Sequence, residues 1–248
     1  MKRDPMIRAA ARNNAEWCAV MSRAHGLVGE FGTQAWAVPS RPPLYYPDAV
    51  TLVPGTDATA LLERIDTATP GACVKDSFAD LDLSGAGFTV LFDAQWIHRP
   101  ASARATAPAT RPEFTWSEMS DPEALRAWAL AWVDGDANGG HPFRPELLDD
   151  PTTSLLAGHA ADGTVTAGAV ASRSDHVVGI SNVFAVEGGT DRAWPGLLGA
   201  VHRLFPTLPV VGYAHGADLD AAVRHGFRAI GPLRVWRHQD RHHALPAG

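Results

Sequence analysis

Between Phe114 and His238 the chain reads as an ordered run of strands and amphipathic helices, and that order leaves few folds open. EFTWSEM alternates as a strand. Ser120 and Glu123 form an S-x-x-E capping box, which predicts a helix over DPEALRAWALAW with Leu125, Trp128, Ala129 and Trp132 on one face. After the polar loop DGDANGGHPFRPELLDD, SLLAGHA and TVTAGAVASRS alternate about the turn ADGT, and HVVGISNVFAV adds a third strand, so an antiparallel meander is expected. A helix over WPGLLGAVHRLF, a strand PVVGYAH, a helix DLDAAVRH stopped by Gly226 and a strand FRAIGPLRVWRH complete the segment. The expected class is α/β, with a mixed, mostly antiparallel central sheet flanked by helices.

Upstream lies RPASARATAPATRP, Arg99 to Pro112, with three prolines, small residues and no hydrophobic period, which reads as an extended linker. The expected division is an N-terminal α/β half domain over residues 1–104, a linker over 105–112, a second domain over 113–240 and a tail over 241–248. In the first part, Ile7 to His25 predicts a helix with Trp17, Val20, Met21 and Ala24 on its core face, closed by Gly26. Gly29 to Asp48 is a long irregular segment expected to be anchored by Trp36, Tyr45 and Tyr46. A strand AVTLV, a helix ATALLERID and the strands ACVKDSF and GFTVLFDAQWIHR follow. Alternation in the last puts Phe92, Ala94, Trp96 and His98 on one face and Asp93, Gln95, Ile97 and Arg99 on the other. With the Trp96 face in the core, Asp93 and Gln95 point to a solvated sheet face or to a cleft, where Gln95 could position a polar substrate, and Lys75 and Asp76 carry the same two readings, the solvated face being the expected one.

Bulk properties narrow the function. Apolar residues make up 46% and charged residues 19%, enough to bury a core. The net charge of -6, with both signs interspersed, gives no electrostatic support for binding nucleic acid or an anionic membrane, so small molecules are the expected partners. Cys18 and Cys73, without redox or metal spacing, fit two reduced thiols, and the N-terminus has no apolar stretch after its basic residues, so a cytoplasmic protein is expected. The abundance of Ala, Gly, Pro, Arg and Asp suggests a GC-rich bacterial genome. Eleven histidines, among them His98, His141, His159, His176, His242 and His243, form no H-E-x-x-H or similar cluster, so no metal is expected. Nor is there a G-x-S-x-G elbow, a P-loop or a G-x-G-x-x-G turn.

The order of elements from Phe114 to His238, with Ala221-Ala222-Val223-Arg224-His225-Gly226-Phe227 as a helix ending in Gly-Phe, resembles the GNAT acyltransferases over about half the chain. The resemblance implies acetyl-CoA or another acyl-CoA as co-substrate. Phe184, Ala185 and Val186 would offer backbone groups to the pantetheine arm. The pyrophosphate would sit at the N-terminus of the next helix, near Arg192 and facing the amides of Ala193, Trp194, Gly196 and Leu197. The stretch from Val186 to Leu197 departs from the family's Arg/Gln-x-x-Gly-x-Gly/Ala loop: only Gly196 matches a motif glycine, Asp191 stands where a base is expected, Trp194 replaces a glycine, and Pro195 removes a donor and is a good first-turn residue.

The family's usual tyrosine, four residues before the Gly of Gly-Phe, is Ala222 here, so Tyr213 or His215 is the nearest general acid. The fourth strand offers Asn182 to orient a substrate but no carboxylate before Glu187, the remaining candidate base. Val74 through Gly87-Phe88 to Phe92 has the same strand, turn, Gly-Phe, strand form as Val211 through Gly226-Phe227-Arg228, which suggests a truncated GNAT-like module in the first half and a tandem arrangement. The function these features imply is acyl transfer, acetyl in the first instance, to the amine of a small molecule. The alternative is a non-catalytic GNAT-like binding or regulatory protein that has lost the cofactor loop and the acid.

Overall fold

The computed structural model describes residues 5–69, 71–103, 113–134 and 140–239. The expected linker at 105–112, the tail at 241–248, His242 and His243 lie outside the described residues.

The first part contains α1 (Pro5–Ala24), β1 (Glu30–Phe31), β2 (Ala35–Ala37), β3 (Ala49–Thr51), α2 (Ala58–Leu62), β4 (Cys73–Asp76), a 3-10 turn (Ser84–Ala86) and β5 (Phe88–Arg99). The second contains β6 (Thr115–Glu118), α3 (Pro122–Trp132), a 3-10 turn (Pro145–Asp149), β7 (Thr153–His159), β8 (Val165–Arg173), β9 (Val178–Ala185), α4 (Thr190–Leu204), β10 (Val210–Ala214), α5 (Gly216–Arg224) and β11 (Arg228–His238). Apart from β1 and β2, which lie in the segment from Gly29 to Asp48 expected to be irregular, this is the order that periodicity predicts, and the class is the expected α/β with a mostly antiparallel mixed sheet.

The described strands form one sheet in the order β1-β2-β3-β4-β11-β5-β10-β9-β8-β7-β6. Two neighbouring pairs are parallel, β3 with β4 and β9 with β10, and the other described pairs are antiparallel. The last strand of each part lies among strands of the other: β11 separates β4 from β5, and β5 separates β11 from β10.

Alternation on β5 assigns the two faces. Trp96 packs with Ile7, Ala10 and Ala11 of α1, and its indole nitrogen donates to Ser77 O at 2.8 Å. Ile97 points the other way, into the cluster that α4 and α5 build with Leu197, Val201 and Ala222. α3 joins α1 on the first face through Leu125 and Trp128, and α2 covers the far end of the second face, where Leu61 meets Val74 and Trp236. α1 crosses the sheet closely: Asn13 Nδ2 donates to Ser172 O at 2.8 Å, and a Cβ at Gly179 would collide with Asn13 Oδ1.

Four local expectations are corrected. Trp36 and Tyr46 anchor the segment after α1, but Tyr45 is 67% exposed and rests edge-on against Trp132. Helix α3 is capped by Asp121, whose carboxylate accepts from the Glu123 and Ala124 amides, and not by Ser120; Pro122, whose fixed φ suits the first helical position, sets the start one residue later. Helix α4 begins at Thr190, so Pro195 lies inside it and not in its first turn. Lys75 and Asp76 are buried, because α1 covers the face of β4 that carries Lys75 and the turn after β4 folds its amides onto Asp76.

Candidate active site

Strands β9 and β10 are paired over two residue pairs, Val210 with Val178 and Val211 with Gly179, and no further pair forms between them among the described residues. Past Gly179 the sheet therefore opens. On its other edge β9 carries a bulge: its pairing with β8 shifts between Ser181, opposite Val170, and Phe184, opposite Gly168. Of the two residues in that shift, Asn182 and Val183, the first has φ 52°, a left-handed conformation that asparagine tolerates better than most side chains.

A cavity of about 280 Å³ fills the opening. On the α1 face it is walled by Asn14, Trp17 and Cys18 of α1, by Tyr46, and by Lys75 of β4 reaching over the ring of Tyr213 on β10. Tyr45 and Trp132 form its rim on that side. On the other face it meets Thr190 and Trp194 of α4, and His215 and Asp218 at the start of α5. Tyr46 packs edge-on against Trp17, and its hydroxyl donates weakly to Asn182 Oδ1 at 3.4 Å.

The charges are unevenly placed. Lys75 is 5% exposed; its ammonium donates to Asn14 Oδ1 at 2.9 Å and sits 4.2 Å from the centre of the Tyr213 ring. Burial works against this cation, but the Tyr213 phenol and the Cys18 thiol outweigh it and hold the Lys75 pKa above the usual lysine value, so it is charged at neutral pH. Burial pushes the Cys18 thiol up to about 11 and the Tyr46 phenol well above its ordinary range, leaving both neutral.

At the opposite end stands the N-terminus of α4. Gly188 and Gly189 precede it with φ of 73° and 72°, conformations other residues adopt only with strain. Because the helix starts at Thr190 and the Arg192 amide already donates to Gly189 O at 3.3 Å, the amides free of intrahelical partners are those of Gly189 to Asp191. Ala193, Trp194, Gly196 and Leu197 lie one turn further in; Ala193, Trp194 and Leu197 are buried, with the Trp194 ring tilted against Phe227. Asp191 turns away to the end of α5, where it accepts from Arg224 Nε at 3.2 Å and His225 Nε2 at 3.1 Å. The slight burial of its carboxyl opposes ionisation, yet those two hydrogen bonds keep it below the usual range. The Arg192 guanidinium stays by the glycine loop, paired with Glu113 and donating to Glu187 O.

Of the other predicted residues, Phe184 leans onto Trp128, Ala185 pairs with Ala167, and the Val186 amide donates to Thr166 O at 2.9 Å, so the edge of β9 toward β10 is the free one. Tyr213, Asn182 and His215 converge on the cavity, His215 at its mouth beside Phe92. Glu187 does not: its side chain is 86% exposed, 3.8 Å from Arg192. Ala222 is buried in the core beneath α5. Among the described residues no three His, Cys, Asp or Glu side chains cluster as a metal site, and no helix is long and apolar enough to cross a membrane.

Sequence reasoning missed Asn14, Tyr46, Ser181, Asp218 and, above all, Lys75 as members of this cavity. A signal existed for the last: Lys2 and Lys75 are the only lysines among 21 basic residues, and Lys75 falls in mid-strand. Asn13-Asn14 on the apolar face of α1 was a second.

The mixed sheet, splayed between two parallel strands with a helix N-terminus at the opening, has the fold of solved GNAT acetyltransferase structures. No protein-family model matches the sequence, and no curated protein matches it. Among solved structures, a GCN5-related N-acetyltransferase from Kribbella flavida is similar with a TM-score of 0.66 at 17% identity, over 95% of this chain and 97% of that one. A GNAT-family acetyltransferase from Novosphingobium aromaticivorans gives 0.53 at 13% identity, over 90% and 96%. A GCN5-related N-acetyltransferase from Sphaerobacter thermophilus gives 0.51 at 14%, over 93% and 92%. What these chains share with this one is the fold, and the likeness extends through the first part as well as the second.

Proposed function

We propose that the chain is an acyl-CoA-dependent N-acyltransferase whose acceptor is the amine of a small molecule. The observation that carries this reading is the cavity in the β9–β10 opening with the N-terminus of the 15-residue helix α4 at one end. A helix start with free amides and a positive dipole end suits a pyrophosphate. The amides of Gly189 to Asp191 and the Arg192 guanidinium are the donors on offer, and the unpaired edge of β9 from Phe184 to Val186 suits the amide groups of a pantetheine arm.

The acceptor nitrogen attacks the thioester carbonyl carbon, the C–S bond breaks, and the proton lost by nitrogen is matched by one gained at sulfur. Asn182, fixed on the bulge, orients the acceptor, and the Tyr213 phenol supplies the proton to sulfur, with His215 at the mouth as relay. Glu187 has no part in this scheme. Positioning of amine and thioester in a closed cavity supplies most of the acceleration.

The first part is read as a truncated copy of the same module. In its favour, β3 and β4 are parallel as β9 and β10 are, and Gly87-Phe88, with φ of 83° at the glycine, opens β5 as Gly226-Phe227, with φ of 86°, leads into β11. The helix start in this copy is closed by its own chain, since the Asp57 carboxylate accepts from the Thr59 and Ala60 amides. One donor site per chain follows.

Calorimetric titration with CoA and acetyl-CoA, beside a thermal shift, tests the reading. Ligand at 100 times its dissociation constant adds about 2.7 kcal/mol of apparent stability. No heat and no shift with acetyl-CoA or longer acyl-CoAs overturns it. Asp191 in the first turn of α4 and Ala222 in place of an acid favour the competing reading of a non-catalytic binding protein. Acyl-CoA bound with no thiol released across a panel of amines supports that reading instead.

A further inference from the structure

Lys75 has no role in holding the donor. It lies on the α1 face of the sheet, whereas α4 and its free amides lie on the other, so the phosphates of a bound CoA are across the opening from it. An ammonium withdrawn from water is costly unless compensated. Here the compensation is incomplete: a hydrogen bond to Asn14 Oδ1 and the Tyr213 side chain, both its ring face and its phenol, with no acidic side chain among the described residues paired to it. A lysine ammonium has three N–H donors, so capacity remains.

Asn14 completes the arrangement. Because an ammonium can only donate, the Asn14 amide must present its oxygen to Lys75, which turns Nδ2 outward, and Nδ2 has no hydrogen-bond partner among the described residues. Both side chains are more than nine-tenths buried and both line the cavity. Two convergent donors, one of them a cation, form a receptor for a planar anion with two oxygens. Around them the wall is apolar and aromatic, with Trp17, Tyr46 and the rim residues Tyr45 and Trp132.

We propose that Lys75 and Asn14 bind a carboxylate of the acceptor, which makes the acceptor an apolar amino acid or a closely similar amino-carboxylic acid. The acceptor role rests on the acyltransferase reading; the carboxylate site does not. The carboxylate anchors the molecule on the α1 face, the aromatic wall holds its side chain, and its amine is directed into the opening toward the thioester.

The test is equilibrium binding to the full chain, with and without CoA, of L-leucine, L-methionine and L-phenylalanine against leucinamide, methioninamide and phenylalaninamide. The expected result is that at least one amino acid binds ~10-fold or more tighter than its amide, the loss of one charge-assisted hydrogen bond being worth about that factor. In Lys75→Met, whose fold is checked by circular dichroism, the ratio falls to about one while CoA affinity is unchanged. Asn14→Ala, which keeps the charge, gives an intermediate ratio and serves if Lys75→Met does not fold. Amides that bind as well as the acids, or no binding of either, overturn the proposal. A carboxylate dependence that tracks succinyl-CoA against acetyl-CoA, and not the acceptor, also overturns it, since the anion would then belong to the donor. Carboxylate discrimination in a chain that binds no CoA leaves this site standing and removes the acyltransferase reading.

Discussion

Asn182 shows how much the site depends on single residues. Its left-handed backbone costs a side chain with a Cβ about 1–2 kcal/mol, a strain retained where β9 must bulge to aim its side chain at the cavity. Asn182→Ala is therefore expected to be less stable than Asn182→Gly by about 1 kcal/mol in urea denaturation, with acyl transfer lowered in both; equal stabilities would show that the bulge carries no strain. Tyr213→Phe should lower kcat by about 10²- to 10⁴-fold with little change in KM if its phenol protonates the leaving thiolate. Cys18 and Cys73, pushed up by burial to about 11 and about 12, remain thiols at pH 8, so the native chain should resist iodoacetamide until it is unfolded. Tyr213 and Asn182 were legible as cavity residues because they sit on strands that the local pattern identifies, and His215 because it directly follows one of them. Lys75 was not: alternation tells which face of β4 it occupies, but only α1, some sixty residues away in the chain, decides that this face is covered.

Helix boundaries were set by competing local signals. At α3, Asp121 followed by Pro122 wins over the Ser120–Glu123 box, and Asp121→Ala should cost about 1 kcal/mol, measured by thermal or urea unfolding, whereas Ser120→Ala should cost little. At α4, the left-handed pair Gly188-Gly189 stops the preceding loop and the helix starts at once, carrying Pro195 into its interior. Proline there removes the hydrogen bond to Asp191 O and crowds that carbonyl. Pro195→Ala should accordingly stabilise the chain by about 1–3 kcal/mol; a loss of stability would mean that the ring is held by packing that outweighs the missing bond. The early start of α4 bears on the proposed donor site, because it brings the free amides to Gly189–Asp191, one turn upstream of where proline chemistry alone would put them.

For the whole molecule the decisive feature is the exchange of final strands. Residues 113–239 by themselves lack β5, so β10 and β11 would face each other across a missing strand with their ladder hydrogen bonds unmade. A fragment of residues 113–248 is expected to show no cooperative unfolding transition alone, and to regain one when co-expressed with residues 1–104; an independently folded fragment would refute the dependence. All the elements except the short edge strands β1 and β2, and their order, came from the sequence by itself, because the periods of 2 and 3.6 residues, the turn glycines and the charge balance act over a few neighbours and can be read there. Tertiary structure alone decided that the sheet is continuous, that it opens beside Asn182, and that Lys75 meets Asn14 and Tyr213 in the opening. Those contacts join residues from 61 positions apart, for Lys75 and Asn14, to 138, for Lys75 and Tyr213. Pairing over such distances depends on which surfaces remain to be buried once every element has formed, and no local pattern encodes that.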